Sequence, residues 1–136
     1  MKRYEFINHT ADVGIKAYGK TIDEAFEHAA SAMFDIITDR SSIDSVGEYQ
    51  IFLEASDLEQ LLVDWLSKLL FLNGAENLVF GKFHVSINGT KLSAKVFGEI
   101  FSPQKHKHGV EIKAVTYHML EVHVDTPIYV QVLFDI

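Results

Sequence analysis

The chain has 136 residues, no cysteine, and 19 acidic against 12 basic side chains, a formal net charge of −7. The length predicts a single domain over residues 1–136, large enough to bury its own core. The missing thiols exclude a disulfide scaffold, a thiolate zinc site and a cysteine nucleophile. The acidic balance argues against non-specific nucleic-acid binding. The charged start and the lack of a long apolar run predict a soluble, cytoplasmic protein without signal peptide or membrane span.

Residues 3–7 and 13–18 alternate apolar and polar side chains and read as two short strands around a polar turn, Asn8 to Asp12. Thr21-Ile22-Asp23-Glu24 is a capping box, and the helix behind it runs to about Ile37 with one apolar face. A loop over 38–47 leads to a strand carrying Tyr49, Ile51, Leu53 and Ala55. Ser56-Asp57-Leu58-Glu59 reads as a second capping box. Its helix runs to about Asn73, stops at Gly74, and its wide leucine stripe marks it as the central helix of the core.

Residues 78–87 and 91–101 predict a hairpin turned by Asn88-Gly89 in type I′ geometry. Glycine at 98 inside that second strand points to a bulge or a close backbone approach. The loop 102–109, with Lys105, His106, Lys107 and His108, reads as a phosphate contact or, with only two lysines, as solvated and mobile. Residues 112–118 fit either a strand or a short helical turn, and a last hairpin pairs 119–124 with 128–135. The order predicts an α+β, two-layer fold in which two long helices pack on an antiparallel or mixed sheet. A strand-helix-strand-strand pattern surrounds each capping box, a faint duplication that reads as two interleaved copies of one module or as chance recurrence.

No phosphate-binding glycine loop, Gly-x-Ser-x-Gly elbow or His-Glu-x-x-His motif is present. Asp12 sits in a turn between strands, where a carboxylate faces a ligand or closes an Asx-turn. His9 in the same turn reads as a packed or solvated side chain or as a ligand. The last strand ends at Asp135-Ile136, so the Asp135 side chain and the Ile136 α-carboxylate are either solvated charges or, with Asp12, three hard oxygen donors. Glu111 to His118 crowds an acid, Lys113, the Thr116 hydroxyl, Tyr117 and His118 into eight residues. That run reads equally as an amphipathic strand. Glu99, beside Gly98, reads as an exposed strand residue or a site residue.

His9-Thr10-Ala11-Asp12, Ala25-Phe26-Glu27 with Ala29-Ala30 and Met33-Phe34, Leu61 to Leu66, Gly98-Glu99, Ile112 to His118 and Phe134-Asp135-Ile136 occur in that order along the chain. Together they resemble the archease family over the whole length. The resemblance implies two strand-helix-strand-strand modules, one inserted in the other. It implies an accessory factor, not a stand-alone enzyme, whose protein partner is the tRNA-splicing RNA ligase that joins 3′-phosphate to 5′-hydroxyl ends. The factor promotes GTP-dependent guanylylation of the ligase histidine and multiple turnover, so GTP and RNA are reached through the ligase. It further implies a divalent metal site at Asp12, Asp135 and Ile136, able to take calcium, with magnesium or manganese as the functional ion. His9, Glu99, Lys113, Thr116 and His118 are then candidates for the partner surface. A small metal-dependent phosphoesterase or nucleotide-binding enzyme, and a general chaperone, are the other classes the residues leave open.

Overall fold

The computed structural model describes residues 2–9 and 12–136, without the side chain of His9. Thr21 caps the first helix, α1 (Ile22–Ile37), by accepting from the Glu24 backbone N–H at 3.1 Å. The Glu24 carboxylate reaches back to the Lys20 N–H at 3.2 Å, one residue before the cap, so the Thr21 half of the expected capping box forms and the return bond is shifted by one residue. The second helix, α2 (Leu58–Glu76), is capped by Asp57, whose carboxylate accepts from Gln60 N at 2.8 Å. The cap is therefore Asp57 itself, with Gln60 rather than Glu59 at the third helical position. The helix also passes through Gly74. It ends where Asn77 adopts the left-handed conformation, φ 56°, which asparagine tolerates better than most residues. No helix among the described residues is long and apolar enough to cross a membrane.

The strands form two sheets, both antiparallel. The first contains β1 (Tyr4–His9), β2 (Asp12–Gly19), β8 (Ile128–Asp135) and, along the far edge of β8, the short β6 (Ala114–Val115) and β7 (Glu121–His123). The second contains β3 (Gly47–Glu54), β5 (Lys91–Ile100) and β4 (Leu78–Asn88), in the order β3-β5-β4. β2, β8 and β7 are paired in the same order as β3, β5 and β4: the first strand of each set pairs with its last, and the last with its middle one. The expected α+β class and nested modules are thus visible in the pairing, with residues 47–100 inserted between the two halves of the outer sheet.

Each helix touches both sheets. α1 is the central one, contrary to the expectation for α2. Ala29, Ala30, Ser31, Ala32, Met33 and Phe34 are consecutive and all buried, which needs neighbours around most of the helix circumference. Small alanines let both sheets approach it. In α2 the buried set is Leu61, Leu62, Val63, Trp65, Leu66 and Leu69, and the remaining face is open.

The β4–β5 turn sits one residue later than the dipeptide suggests. Asn88 pairs with Lys91, leaving Gly89 and Thr90 in the turn. Of these two only Gly89 has positive φ, 65°, the pattern of a type II′ rather than a type I′ turn. The close approach expected at Gly98 is present: a Cβ there would lie 1.9 Å from the Val79 carbonyl oxygen. The facing strand carries the bulge, between Phe80 and Lys82.

Candidate functional site

The two strands that bring the chain's ends together are β2 and β8. Their register pairs Val13 with Phe134 and Ile15 with Val132, both facing the core. The same register fixes Asp12 opposite Asp135 at the end of the ladder. Directly opposed residues share one face, with Cβ atoms about 5 Å apart. Two carboxylates are therefore held side by side, Asp12 partly buried and Asp135 exposed. Like charges in direct opposition repel, and a cation between them relieves that repulsion.

β6 completes this corner. Ala114 pairs with Asp135, and the Lys113 N–H donates to the Asp135 carbonyl at 2.8 Å. The ambiguous run 112–118 thus holds a two-residue edge strand, preceded by a buried Ile112 and an exposed Lys113. The Thr116 hydroxyl donates to the Leu133 carbonyl at 2.9 Å, and the Thr116 N–H donates to the same oxygen at 3.0 Å. That hydroxyl is committed to holding the loop after β6. His118 is exposed, and the loop continues to Met119, whose φ is 57°. Ile136 follows Asp135 and is partly exposed.

His9 pairs with Asp12 across β1 and β2. Its side chain, together with Thr10 and Ala11 of the expected turn, lies outside the described residues. Among the described residues, no three His, Asp or Glu side chains gather to hold a metal ion. Among the described residues the side-chain carboxylate donors at this corner are the two aspartates. Carboxylate oxygen is the donor type that suits magnesium, calcium or manganese.

Glu99 is placed elsewhere, at the end of β5 in the second sheet. It is not the exposed strand residue expected from sequence: its side chain is 13% exposed. It accepts from Lys105 Nζ at 2.8 Å, from the Asp44 N–H at 2.7 Å and from His106 Nε2 at 3.0 Å. His106 Nδ1 accepts from the Ser102 N–H at 2.8 Å, so the proton of the neutral ring sits on Nε2, facing Glu99. His106 is 3% exposed, which overturns the expectation of a mobile, solvated His/Lys loop. Gly109 and Val110 N–H groups donate to Ile37 and Ile36 carbonyls at 2.9 Å, pinning the loop's other end to the open end of α1. The i to i+4 spacing of Ser102 and His106 was the local signal for this closed turn; its acidic partner comes from β5.

The Lys105 ammonium, then the Asp44 N–H and His106, hold the Glu99 carboxyl at a pKa of about 2, below the usual glutamate range. A carboxylate with a depressed folded-state pKa stabilises the fold above its unfolded value, and loses that contribution as pH falls toward the folded value. Glu99→Gln is expected to lower the midpoint of thermal unfolding at pH 6 by roughly 4 °C. That is what about 1 kcal/mol, a charged hydrogen bond weakened to a neutral one, is worth at this length. Melts recorded from pH 6 to pH 2.5 check it: the gap between variant and parent closes below about pH 4.5. A gap independent of pH removes the ion pair as its cause.

This is a small α+β protein whose acidic chemistry is gathered at a sheet corner. The Archease protein family model matches residues 4–136. The protein archease of Sulfolobus acidocaldarius is 45% identical over 132 residues, 96% of this chain and 95% of that one. The protein archease of Pyrococcus furiosus is 44% identical over 126 residues, 90% of this chain and 89% of its own. The solution structure of Methanobacterium thermoautotrophicum protein 1598 superposes with a TM-score of 0.88 at 38% identity, covering 100% of both chains. The chain belongs to the archease family.

Proposed function

We propose that this protein is an accessory factor of the GTP-dependent tRNA-splicing RNA ligase. It promotes guanylylation of the ligase histidine and repeated turnover, and has no catalytic centre of its own. The observation that carries the reading is the direct pairing of Asp12 with Asp135, in a chain of this family. Asp12, Asp135 and the main-chain carboxyl of Ile136 would hold a divalent ion, magnesium or manganese in function and calcium where calcium is abundant. Such an ion neutralises and orients phosphate oxygens during nucleotidyl transfer.

The chain's own residues position that corner. The β2–β8 ladder sets the two carboxylates, and the Lys113 N–H fixes the Asp135 backbone. Lys113 and His118 border the surface offered to the ligase, with His9 a further candidate contact. Thr116 supports it from behind through Leu133. Glu99 contributes at a distance, by locking the 102–109 loop.

The test is guanylylation of the cognate ligase with GTP and manganese, with this protein present below one-to-one. Acceleration that survives substoichiometric addition supports a helper that turns over. Asp12→Ala is expected to cut the stimulation by about 10- to 100-fold, the scale set by disturbing a metal shell, while circular dichroism stays native. Full stimulation by a folded Asp12→Ala protein sinks the metal role. No stimulation by the parent protein sinks the ligase role. Phosphoester turnover by the isolated protein would put the enzyme reading first.

A further inference from the structure

The outward face of the second sheet is covered by neither helix, and its composition departs from the acidic average of the chain. From Lys82 to Asn88 on β4 and from Lys91 to Phe97 on β5, the outward positions contain Lys82, Lys91 and Lys95 and no carboxylate. The nearest acids on this face, Glu48 and Glu54, lie on the edge strand β3. None of the three lysines is in an ion pair among the described residues.

Rings occur on this face in successive rows. Phe97 lies in the row of Lys82 and Glu48, His84 in the row of Lys95, and Phe52 in the row of Ser93. Rows two residues apart along a strand are about 7 Å apart, close to the spacing of bases in an extended single strand. Phe52 is 70% exposed, on a strand where a polar outward residue would cost nothing. Lys82 Nζ lies 5.4 Å from the Phe97 ring centre, so cation and ring are already presented together. In the Phe52 row the small side chains of Ser93 and Ser86 line shallow troughs.

We propose that this face binds single-stranded RNA, with bases stacking on Phe52, His84 and Phe97 and phosphates held by Lys82, Lys91 and Lys95. Stacking on rings beside a basic track is how sequence-tolerant single-strand binding is built. The net charge of −7 does not oppose it, because the neutralising charge acts within a Debye length of about 8–10 Å. The face lies on a different sheet from the Asp12–Asp135 corner, so the proposal goes beyond the ligase reading and stands without it.

The experiment uses the isolated protein and a fluorescein-labelled oligouridine of about twelve nucleotides, within the site sizes of such platforms. Anisotropy is measured across a salt series. Binding is expected at low salt. Phe52→Ala is expected to weaken it about tenfold, and Lys82→Gln with Lys95→Gln to lower the salt slope by about 1.4. Amide chemical-shift changes should cluster on β3, β4 and β5. Absence of binding, equal binding by Phe52→Ala, equal binding of a fully paired RNA duplex, or shifts centred on the first sheet would each overturn it. A dimer that buries Phe52, detected by sedimentation, would assign the face to a second copy of the chain instead.

Discussion

Trp65→Ala is expected to lower the unfolding free energy by about 3–5 kcal/mol, the cost of truncating a buried tryptophan. Trp65 is fully buried in α2, and its indole N–H donates to the Phe26 carbonyl of α1 at 3.0 Å. Its ring meets Phe83 of β4 edge-on at 6.2 Å. Phe83 stacks on Phe34 of α1 at 5.9 Å, and Phe34 meets Phe80 at 5.6 Å. One continuous run of rings therefore ties α2, β4 and α1 together, and Trp65 is its end on α2. The surrounding groups belong to three different elements, so they cannot collapse into the void as one. Domains of this kind hold about 5–15 kcal/mol in total, so the variant loses about a fifth or more and melts roughly 15 °C lower. Circular dichroism in a urea series checks it, since the variant lacks the chain's one tryptophan. An unchanged urea slope with a lower midpoint is the expected signature. Trp65→Phe keeps most of the ring and loses the indole hydrogen bond, for about 1–2 kcal/mol. Phe52→Ala on the open sheet should stay within about 0.5 kcal/mol of the parent. A loss below about 1 kcal/mol in Trp65→Ala would remove the ring run as the tie between the helices.

What was legible in the sequence was local. The Thr21 cap, the existence of both helices and the paired hairpins depend on residues a few positions apart, and they form where expected. Small errors came where two local signals competed. Ser56 and Asp57 both suit an N-cap, and the aspartate wins. Gly74 and Asn77 both suit a helix end, and the run of α2 continues to the second. Burial was harder to read. The alanines of α1 carry little hydrophobic weight, yet they are what both sheets pack on. His106 looks like a solvated residue until Glu99, from a neighbouring strand, is placed against it. The acidic corner had the same difficulty. Asp12 and Asp135 lie near opposite ends of the chain, and only the β2–β8 register makes them neighbours. The open basic-aromatic sheet face was hidden for a different reason: alternation along β4 and β5 identifies an outward side, while whole-chain charge averages its lysines away.

Asp135→Asn is expected to separate the two states of the acidic corner. Without divalent ion the substitution removes one of two opposed charges, so stability should hold or rise by a few tenths of a kcal/mol. With ion the parent protein should gain and the variant should not. A ligand that binds only the folded state at about 100 times its dissociation constant adds about 2.7 kcal/mol, roughly 10 °C in melting temperature at this length. Thermal melts of both proteins in chelator, then in rising manganese, magnesium and calcium, measure this directly. The order of the ions carries further meaning. Magnesium demands near-octahedral geometry and keeps several waters, so a corner with two aspartate carboxylates leaves it room for them. Calcium takes six to eight oxygens and would need carbonyls or waters beyond these two groups. A larger shift with calcium than with magnesium would therefore point to extra backbone donors. Equal shifts in parent and variant would place any bound ion away from Asp135. They would leave the paired carboxylates as a contact for a cationic side chain of the proposed ligase partner, a reading that Asp12→Lys should then abolish by reversing the charge.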